Sequence, residues 1–312
     1  MSGFMAILCP ACGSTCTGLW LIKANNLGTY PIRKCRSCRS AFVWPRPQRE
    51  EIGAFYKGSR YKNVSIEEFR ELDRTYYPGA SMDASRLTSH CRRLSKGPRL
   101  MDVGAGFGEF SKAAHDAGYD VTACEPNENS RRIFREVNGF EPLPDMFDKD
   151  LAARCRGRFD VALASHILEH VIDPAAFVAN LGTILVPGGI VAVAVPHFGS
   201  LLSRLQGTKD MFICPPEHLN FFSRRGLIVL FERKGFRAIA LETVSKLNCA
   251  KIRTIGGGAL RGDWAWKGIY LAMRITDRFR LGTVLNAYLR KEISRSRPAG
   301  PGRFRAPRDG GE

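Results

Sequence analysis

Arg99-Leu-Met-Asp-Val-Gly-Ala-Gly-Phe-Gly-Glu-Phe110 decides how this chain is read. It opens on a short apolar strand, Leu100 to Val103, turns through three glycines, and continues into a helix. Gly104, Gly106 and Gly108 carry no Cβ, so the backbone of the turn can approach a ligand closely. The helix that follows aims its N-terminal N–H groups at the same place. A nucleotide-bearing cofactor is therefore expected there. The dinucleotide fingerprint G-x-G-x-x-G fails, because its third glycine position, counted from Gly104, is Glu109. The spacing is G-x-G-x-G, with an acid, Asp102, two residues before the first glycine.

Outward from this turn, Tyr119-Asp-Val-Thr-Ala-Cys-Glu125 is a second apolar strand that ends in an acid about 20 residues further on. An acid in that place can accept from both ribose hydroxyls, which makes Glu125 the expected ribose ligand. Arg158-Phe-Asp-Val-Ala-Leu-Ala-Ser-His-Ile-Leu-Glu-His-Val-Ile-Asp-Pro174 supplies another strand, a loop and a helix start. Leu185-Val-Pro-Gly-Gly-Ile-Val-Ala-Val-Ala-Val-Pro196 is a turn and a fifth strand. Glu217-His-Leu-Asn-Phe-Phe-Ser223 and Leu230-Phe-Glu-Arg-Lys-Gly-Phe236 follow.

These segments, in this order over roughly residues 97 to 245, resemble the class I S-adenosylmethionine (SAM) methyltransferases of the type 11/23 kind. The resemblance implies an α/β fold with a Rossmann-like, doubly wound and mostly parallel sheet. It implies SAM as cofactor, with Gly104, Ala105, Gly106 and Gly108 wrapping its methionine part and Asp102 supporting its amino group. Ser165 and His166 would border the methionyl end, and Met146 or the adjacent Phe147 would contact adenine.

Cys9-Pro-Ala-Cys12 and Cys35-Arg-Ser-Cys38 form a pair of C-x2-C knuckles about two dozen residues apart. Such knuckles set four thiolates at the corners of a tetrahedron and suit a structural Zn2+ with no open position. Disulfides are the competing reading. No signal peptide precedes Cys9, and the other six cysteines show no paired spacing, so a reducing compartment is expected. Cys16 is a poor substitute for Cys12, because C-x6-C does not make a knuckle.

The expected organisation is a zinc ribbon over 1–46, a helical linker or lid over 47–96, and the SAM-binding domain over 97–245. A helical extension follows over 246–293, and a disordered basic tail over 294–312. Ile255-Gly-Gly-Gly258 reads as a joint, and a helix is expected from about Trp264 to Ile293. Its aromatic and arginine residues can lie on a membrane surface, pack on the domain, or meet a dimer partner. The longest apolar stretch, Ile184 to Val195, is broken by Pro187-Gly-Gly189 and is no membrane span. A soluble, cytoplasmic protein is expected.

The net charge of +17 admits two readings. One is attraction to a polyanion such as RNA, DNA, anionic lipid or a nucleotide-linked sugar. The other is an arginine-rich composition, since the basic residues are spread along the chain and not gathered in one stripe.

Methyl transfer requires an aligned acceptor, a dry site and, for a hydroxyl, amine or carbon acid, a base. Four of the six histidines, His166, His170, His197 and His218, fall where the carboxyl ends of the strands are expected. His218 beside Glu217 is the candidate base, with His170 as a further catalytic candidate or a packing residue. The Glu217-His218 pair resembles that of zinc-ribbon sugar C-methyltransferases, although the sequence lacks their further large C-terminal domain. His166-Ile-Leu-Glu-His170 also spells the H-x-x-E-H metal signature. The expected function is methyl transfer to a small polar acceptor, such as a nucleotide sugar or polysaccharide precursor. RNA or protein methylation guided by the basic ribbon, and non-catalytic SAM binding, are the alternatives.

Overall fold

The computed structural model describes residues 6–58, 65–68, 80–245 and 263–293. Residues 59–64 and 69–79 of the expected linker or lid, the joint at Ile255 to Gly258 and the basic tail over 294–312 lie outside the described residues.

Two sheets organise the chain. The larger has six strands: β4 (Arg99–Val103), β5 (Asp120–Cys124), β6 (Phe159–Ser165), β7 (Leu185–Pro196), β9 (Phe236–Val244) and β10 (Val284–Lys291). Their spatial order is β5-β4-β6-β7-β10-β9. The first four run parallel, while β10 is antiparallel to both β7 and β9. Ile190 to Pro196 of β7 is buried at every residue, as expected for a central strand covered on both faces. β5 continues outward through a single parallel bridge between Cys124 and Leu143.

Helices α3 (Glu109–Asp116), α4 (Glu128–Asn138), α5 (Lys149–Arg154) and α6 (Pro174–Ile184) join the parallel strands. Local chemistry sets where they begin. Asn127 caps α4 by accepting from the Ser130 N–H. Asp173 caps α6 by accepting from Ala175 and Ala176, and Pro174 supplies a preset φ in the first turn. Helix α2 (Ala80–Leu94) packs against α3 and β7.

The expected helix to Ile293 is corrected by the structure. Helix α9 (Asp263–Arg278) ends in a left-handed residue, Arg280 at φ 59°, and the chain turns at Gly282. A Cβ on Gly282 would crowd the Asp277 carboxylate and Thr243, so the close turn here is accommodated most easily by glycine. Val284–Lys291 then inserts as β10 between β7 and β9, supplying backbone partners that both strands need. On α9, Leu271 and Ile275, with Phe279 just beyond, are exposed. Among the described residues no helix is long and apolar enough to cross a membrane.

The second sheet contains β1 (Thr17–Asn25), β2 (Gly28–Cys35), β3 (Ala41–Val43) and β8 (Asn220–Phe221), in that order and all antiparallel. The first three belong to the cysteine-rich N-terminus, whereas β8 comes from the segment after β7. Helices α1 (Arg49–Gly58), α7 (Leu201–Gln206) and α8 (Arg224–Glu232) complete the elements used below. The N-terminal module is thus continuous with the core: Ser223 Oγ donates to the Cys38 carbonyl at 2.5 Å, and the Ser223 N–H donates to Ser40 Oγ at 3.0 Å. Ser223 also caps α8 by accepting from Gly226. A Cβ on Gly226 would overlap Ser40 and press on the Cys38 sulfur, so this glycine marks the place where α8 meets the ribbon.

Candidate functional site

β4 sits where the strand order reverses, with β5 on one side and β6 on the other. In open α/β sheets, ligands bind beyond the carboxyl ends of strands at such a point. The glycine turn occupies it. Gly104, Gly106 and Gly108 have φ of +65°, +56° and +91°, a region that residues with a Cβ rarely adopt. The three glycines serve different ends. A Cβ on Gly104 would strike Ile167, and one on Gly108 would strike Asn138 and Phe134. Gly106 faces open space, so its backbone is presented to whatever fills the crevice.

Glu125 stands at the end of β5 against that turn. The Ala105 N–H donates to the Cys124 carbonyl at 3.0 Å. The Glu125 carboxylate accepts from the Gly106 N–H at 3.0 Å and the Asn127 N–H at 2.8 Å. It is 8% exposed, and burial raises its pKa while the two N–H groups pull it down. Asp102, the expected support for an amino group, lies on β4 two residues before the first glycine of the turn. It is buried beneath the turn and accepts from Ser111 Oγ at 2.7 Å. Burial pushes its carboxyl up to about 7, against the Ser111 hydrogen bond. Its observed part is to join β4 to α3 under the glycines. Met146 is 66% exposed on the segment after Leu143, and Phe147 is buried in the core.

Beyond β6 the chain turns through His166, whose φ is 55°, with its N–H donating to Ala194 of β7. Ser165 Oγ is buried here without a hydrogen-bond partner. His166 Nδ1–H donates to Glu169 Oε1 at 3.2 Å. Glu169 is 1% exposed, and its Oε2 has no hydrogen-bond partner. His170 Nε2 lies 3.9 Å from Glu169 Oε1, and the His170 and His218 rings meet edge to face at 4.8 Å.

The tautomers follow from the partners. A carbonyl oxygen only accepts, so Nδ1 carries the proton where it meets one. His170 Nδ1–H donates to the Glu217 carbonyl at 2.8 Å, His218 to Phe212 at 2.8 Å, and His197, at the end of β7, to Gly282 at 3.0 Å. Each neutral ring therefore keeps its lone pair on Nε2. Burial lowers the pKa of all three histidines. Burial also pushes Glu169 up, but the His166 hydrogen bond and the surrounding imidazoles more than offset this and bring it to about 2. At neutral pH the Glu169 carboxylate therefore stands beside neutral His170 and His218.

Glu217 contributes its main-chain carbonyl to this arrangement, and its carboxyl lies beside the Cys214 thiol. The buried acid of the cluster is Glu169, which the sequence reading passed over although it stands inside His166-Ile-Leu-Glu-His170. Asn220 was also missed. Its Nδ2 donates to the carbonyls of Leu168 and Val171, and its Oδ1 accepts from Arg46 at 2.6 Å. The N–H groups of Leu219 and Asn220 both donate to the Glu169 carbonyl, which ties the His218 segment to the Glu169 loop. Next to His218, Pro196, His197, Phe198, Phe212 and Phe221 line a small aromatic cavity.

The family described as "Methyltransferase domain" matches residues 80–241, a little over half of the chain. The chain belongs to the methyltransferase domain family. This methyltransferase domain is 35% identical, over 172 residues, to a ubiquinone biosynthesis O-methyltransferase of Bordetella avium, spanning 49% of this chain and 69% of that protein. A protein of the same name from Caulobacter sp. (strain K31) is 33% identical over 107 residues, 32% of this chain and 41% of its own length. The chain thus spans less than half of that relative. A solved SAM-dependent methyltransferase of Thermotoga maritima covers 73% of this chain and 96% of its own, at 18% identity and a TM-score of 0.49.

Appended to the methyltransferase domain, Cys9, Cys12, Cys35 and Cys38 bring four sulfurs within 4.8 Å of one another. Cys9 and Cys38 are 3.6 Å apart, as are Cys12 and Cys35. A disulfide needs about 2.05 Å, whereas a tetrahedral Zn2+ with bonds of about 2.3 Å spaces its sulfurs by about 3.8 Å. The donor set fits a closed metal centre. Cys16 is exposed and outside this group.

Proposed function

We propose that this methyltransferase domain moves the methyl group of SAM to a hydroxyl oxygen of a small-molecule acceptor, using the Glu169 imidazole cluster to manage the acceptor's proton. The observation that carries this reading is the position of the cluster. It lies beyond the carboxyl ends of β6 and β7, and Ile167 in its midst packs directly on Gly104 of the turn. The O-methyltransferase relatives support an oxygen acceptor.

In this reading the turn from Gly104 to Gly108 and the Glu125 carboxylate hold the cofactor, with Glu125 on the ribose hydroxyls. Ser165 Oγ, buried and unpartnered, faces the need for a polar partner that such a ligand meets. SAM, when bound, supplies a methyl group on a sulfonium whose departure leaves a neutral thioether. Transfer of that methyl to the acceptor oxygen, with the thioether as leaving group, would release the hydroxyl proton, which an imidazole of the cluster would take. Neutral His170 and His218, with Nε2 lone pairs, and the ionised Glu169 beside them suit that task. The four ribbon cysteines hold a structural Zn2+ that keeps β3 against β8, and hence Asn220 against the Glu169 loop. A sugar nucleotide remains one candidate acceptor among small polar molecules.

The test uses purified protein, methyl-labelled SAM and a cell extract split into a small-molecule filtrate, nuclease-treated macromolecules and untreated macromolecules. Label is expected in the filtrate. Label confined to nuclease-sensitive material would overturn the small-acceptor reading in favour of RNA. SAM binding without label in any fraction would favour a binding protein.

A further inference from the structure

The Glu169 cluster carries more than the proton handling assigned above. Glu169, His170 and His218 each aim one ligand atom into a shared space, and these atoms lie within 4.8 Å of one another. We propose that they form a binding site for a divalent transition cation, separate from the cysteine centre of the ribbon.

Four observations support it. First, Glu169 Oε2 is a buried carboxylate oxygen with no hydrogen-bond partner, on a residue 1% exposed. A buried charge with an unpartnered oxygen is costly unless something positive meets it. Second, both histidines are oriented as metal ligands usually are. Each donates Nδ1–H to a main-chain carbonyl, His170 to Glu217 and His218 to Phe212, which fixes the ring and directs the Nε2 lone pair inward. Third, the carboxylate has its own outer partner, since His166 Nδ1–H holds Oε1 at 3.2 Å. Fourth, the two segments that carry the ligands are bound together, because Leu219 and Asn220 both donate to the Glu169 carbonyl. The triad is built into the scaffold and does not depend on exposed side chains.

The donor set selects the ion. Two imidazoles and one carboxylate suit Mn2+, Co2+ or Zn2+, whereas Mg2+ and Ca2+ prefer all-oxygen shells. Bonds of about 2.1 Å place neighbouring ligand atoms roughly 3 to 3.5 Å apart, so His170 Nε2 and Glu169 Oε1, now 3.9 Å apart, close in by about half an ångström and the widest pair by about an ångström or more to grip the ion. One negative charge against two positive ones leaves a net attraction for an anionic oxygen. Three protein ligands leave coordination positions open, as catalytic sites do and the ribbon centre does not. Those positions can orient the acceptor's hydroxyl and favour its deprotonated form. An ion there would occupy the Nε2 lone pairs of His170 and His218, so in the ion-bound form the hydroxyl would be activated by the cation, with its proton released to solvent and not to those two rings. That role rests on the methyl-transfer reading, while the binding of the ion does not.

The experiment uses the full chain, with the ribbon zinc content counted by elemental analysis, stripped of labile ions by a chelator and titrated with Co2+ under visible spectroscopy. One equivalent beyond the ribbon metal is expected, with weak d–d bands and no thiolate charge-transfer band. Glu169→Gln and His218→Gln are each expected to weaken that equivalent on the order of 100-fold or more, with ribbon zinc and SAM affinity unchanged. Absence of the second equivalent in the wild-type chain would overturn the proposal and leave the cluster a polar core. So would its persistence at full affinity in both variants, or a thiolate band accompanying it. Circular dichroism shows whether each variant folds, and His170→Gln replaces whichever does not. Loss of Co2+ binding with retained SAM binding separates this site from the cofactor placement.

Discussion

The Glu125 carboxylate accepts the main-chain N–H of Gly106 at 3.0 Å, so the acid that ends β5 and the glycine turn that ends β4 form one surface. Neither element makes that surface alone. The turn supplies a backbone open to the crevice at Gly106, and the acid supplies paired acceptors beside it. Replacing Glu125 by Gln keeps the shape and removes the charge. Hydrogen bonds to charged groups contribute about 1.5–3 kcal/mol each. Calorimetric titration is expected to show SAM affinity falling about 10- to 100-fold in Glu125→Gln. Unchanged affinity would remove Glu125 from the ribose position.

The ribbon and the methyltransferase core are expected to unfold together. β3 pairs with β8, and Ser223 bonds to both Ser40 and Cys38. Ser223→Ala loses a helix cap and its bonds to the ribbon, which is expected to cost about 1–2 kcal/mol. Gly226→Ala is expected to be worse, because its Cβ would overlap Ser40. Differential scanning calorimetry of these variants should show one transition moved down, and a chelator that removes the ribbon metal should move the same transition. Two separate transitions, only one of them metal-sensitive, would mean that the junction is weak.

Arg46 extends from the ribbon side to the site. It is largely buried, which lowers its pKa to about 10, and it donates to the Leu219 carbonyl and to Asn220 Oδ1. Arg46→Ala leaves Asn220, and through it the loop carrying Glu169, less firmly held. Turnover is expected to fall several-fold or more while SAM affinity stays within about twofold. A proportional loss of both would assign Arg46 to general stability.

Acid should weaken the fold in a window set by the histidines. His170, His197 and His218 are each held below the ordinary pKa by burial. The unfolded chain takes up those protons near pH 6.5, before the folded chain does, so stability rises with pH through this range and falls below it. Glu169, brought down to about 2, adds stability that is lost only at much lower pH. Thermal melts are expected to be level from pH 7 to 8 and to drop by several degrees between pH 6.5 and 5. His197→Gln should lessen that drop. A flat profile to pH 5 would contradict the buried, neutral assignment.

The glycine turn was legible in the sequence because a strand, a positive-φ turn and a helix leave a dense local signature, Val103 through Glu109. The four ribbon cysteines were legible for the same reason, since each knuckle is local. What the sequence hid was long-range. The chain has two Glu-His pairs, Glu169-His170 and Glu217-His218, and nothing local says which acid turns inward. The fold takes the carboxylate of the first pair and the imidazoles of both. Pairing of Ala41 with Phe221, which carries the ribbon sheet into the core, spans too much sequence to be read from pattern. β10 was hidden by the amphipathic run before it, and the stop at Arg280 and Gly282 is evident only once Thr243 and Asp277 are seen behind it.

The central claim is that the turn between β4 and α3 holds SAM, and Gly106 tests it most directly. Its φ of +56° and the open space beyond it mean that a leucine there would both strain the turn and project into the cofactor's place. Titration of SAM into wild-type chain and Gly106→Leu, with circular dichroism and ribbon zinc content as controls for folding, is the measurement. The expected result is one equivalent of SAM bound by the wild type and none detectable in the variant, with zinc and fold retained. Equal affinity in the two folded proteins would contradict the placement of the cofactor and, with it, the account of the site.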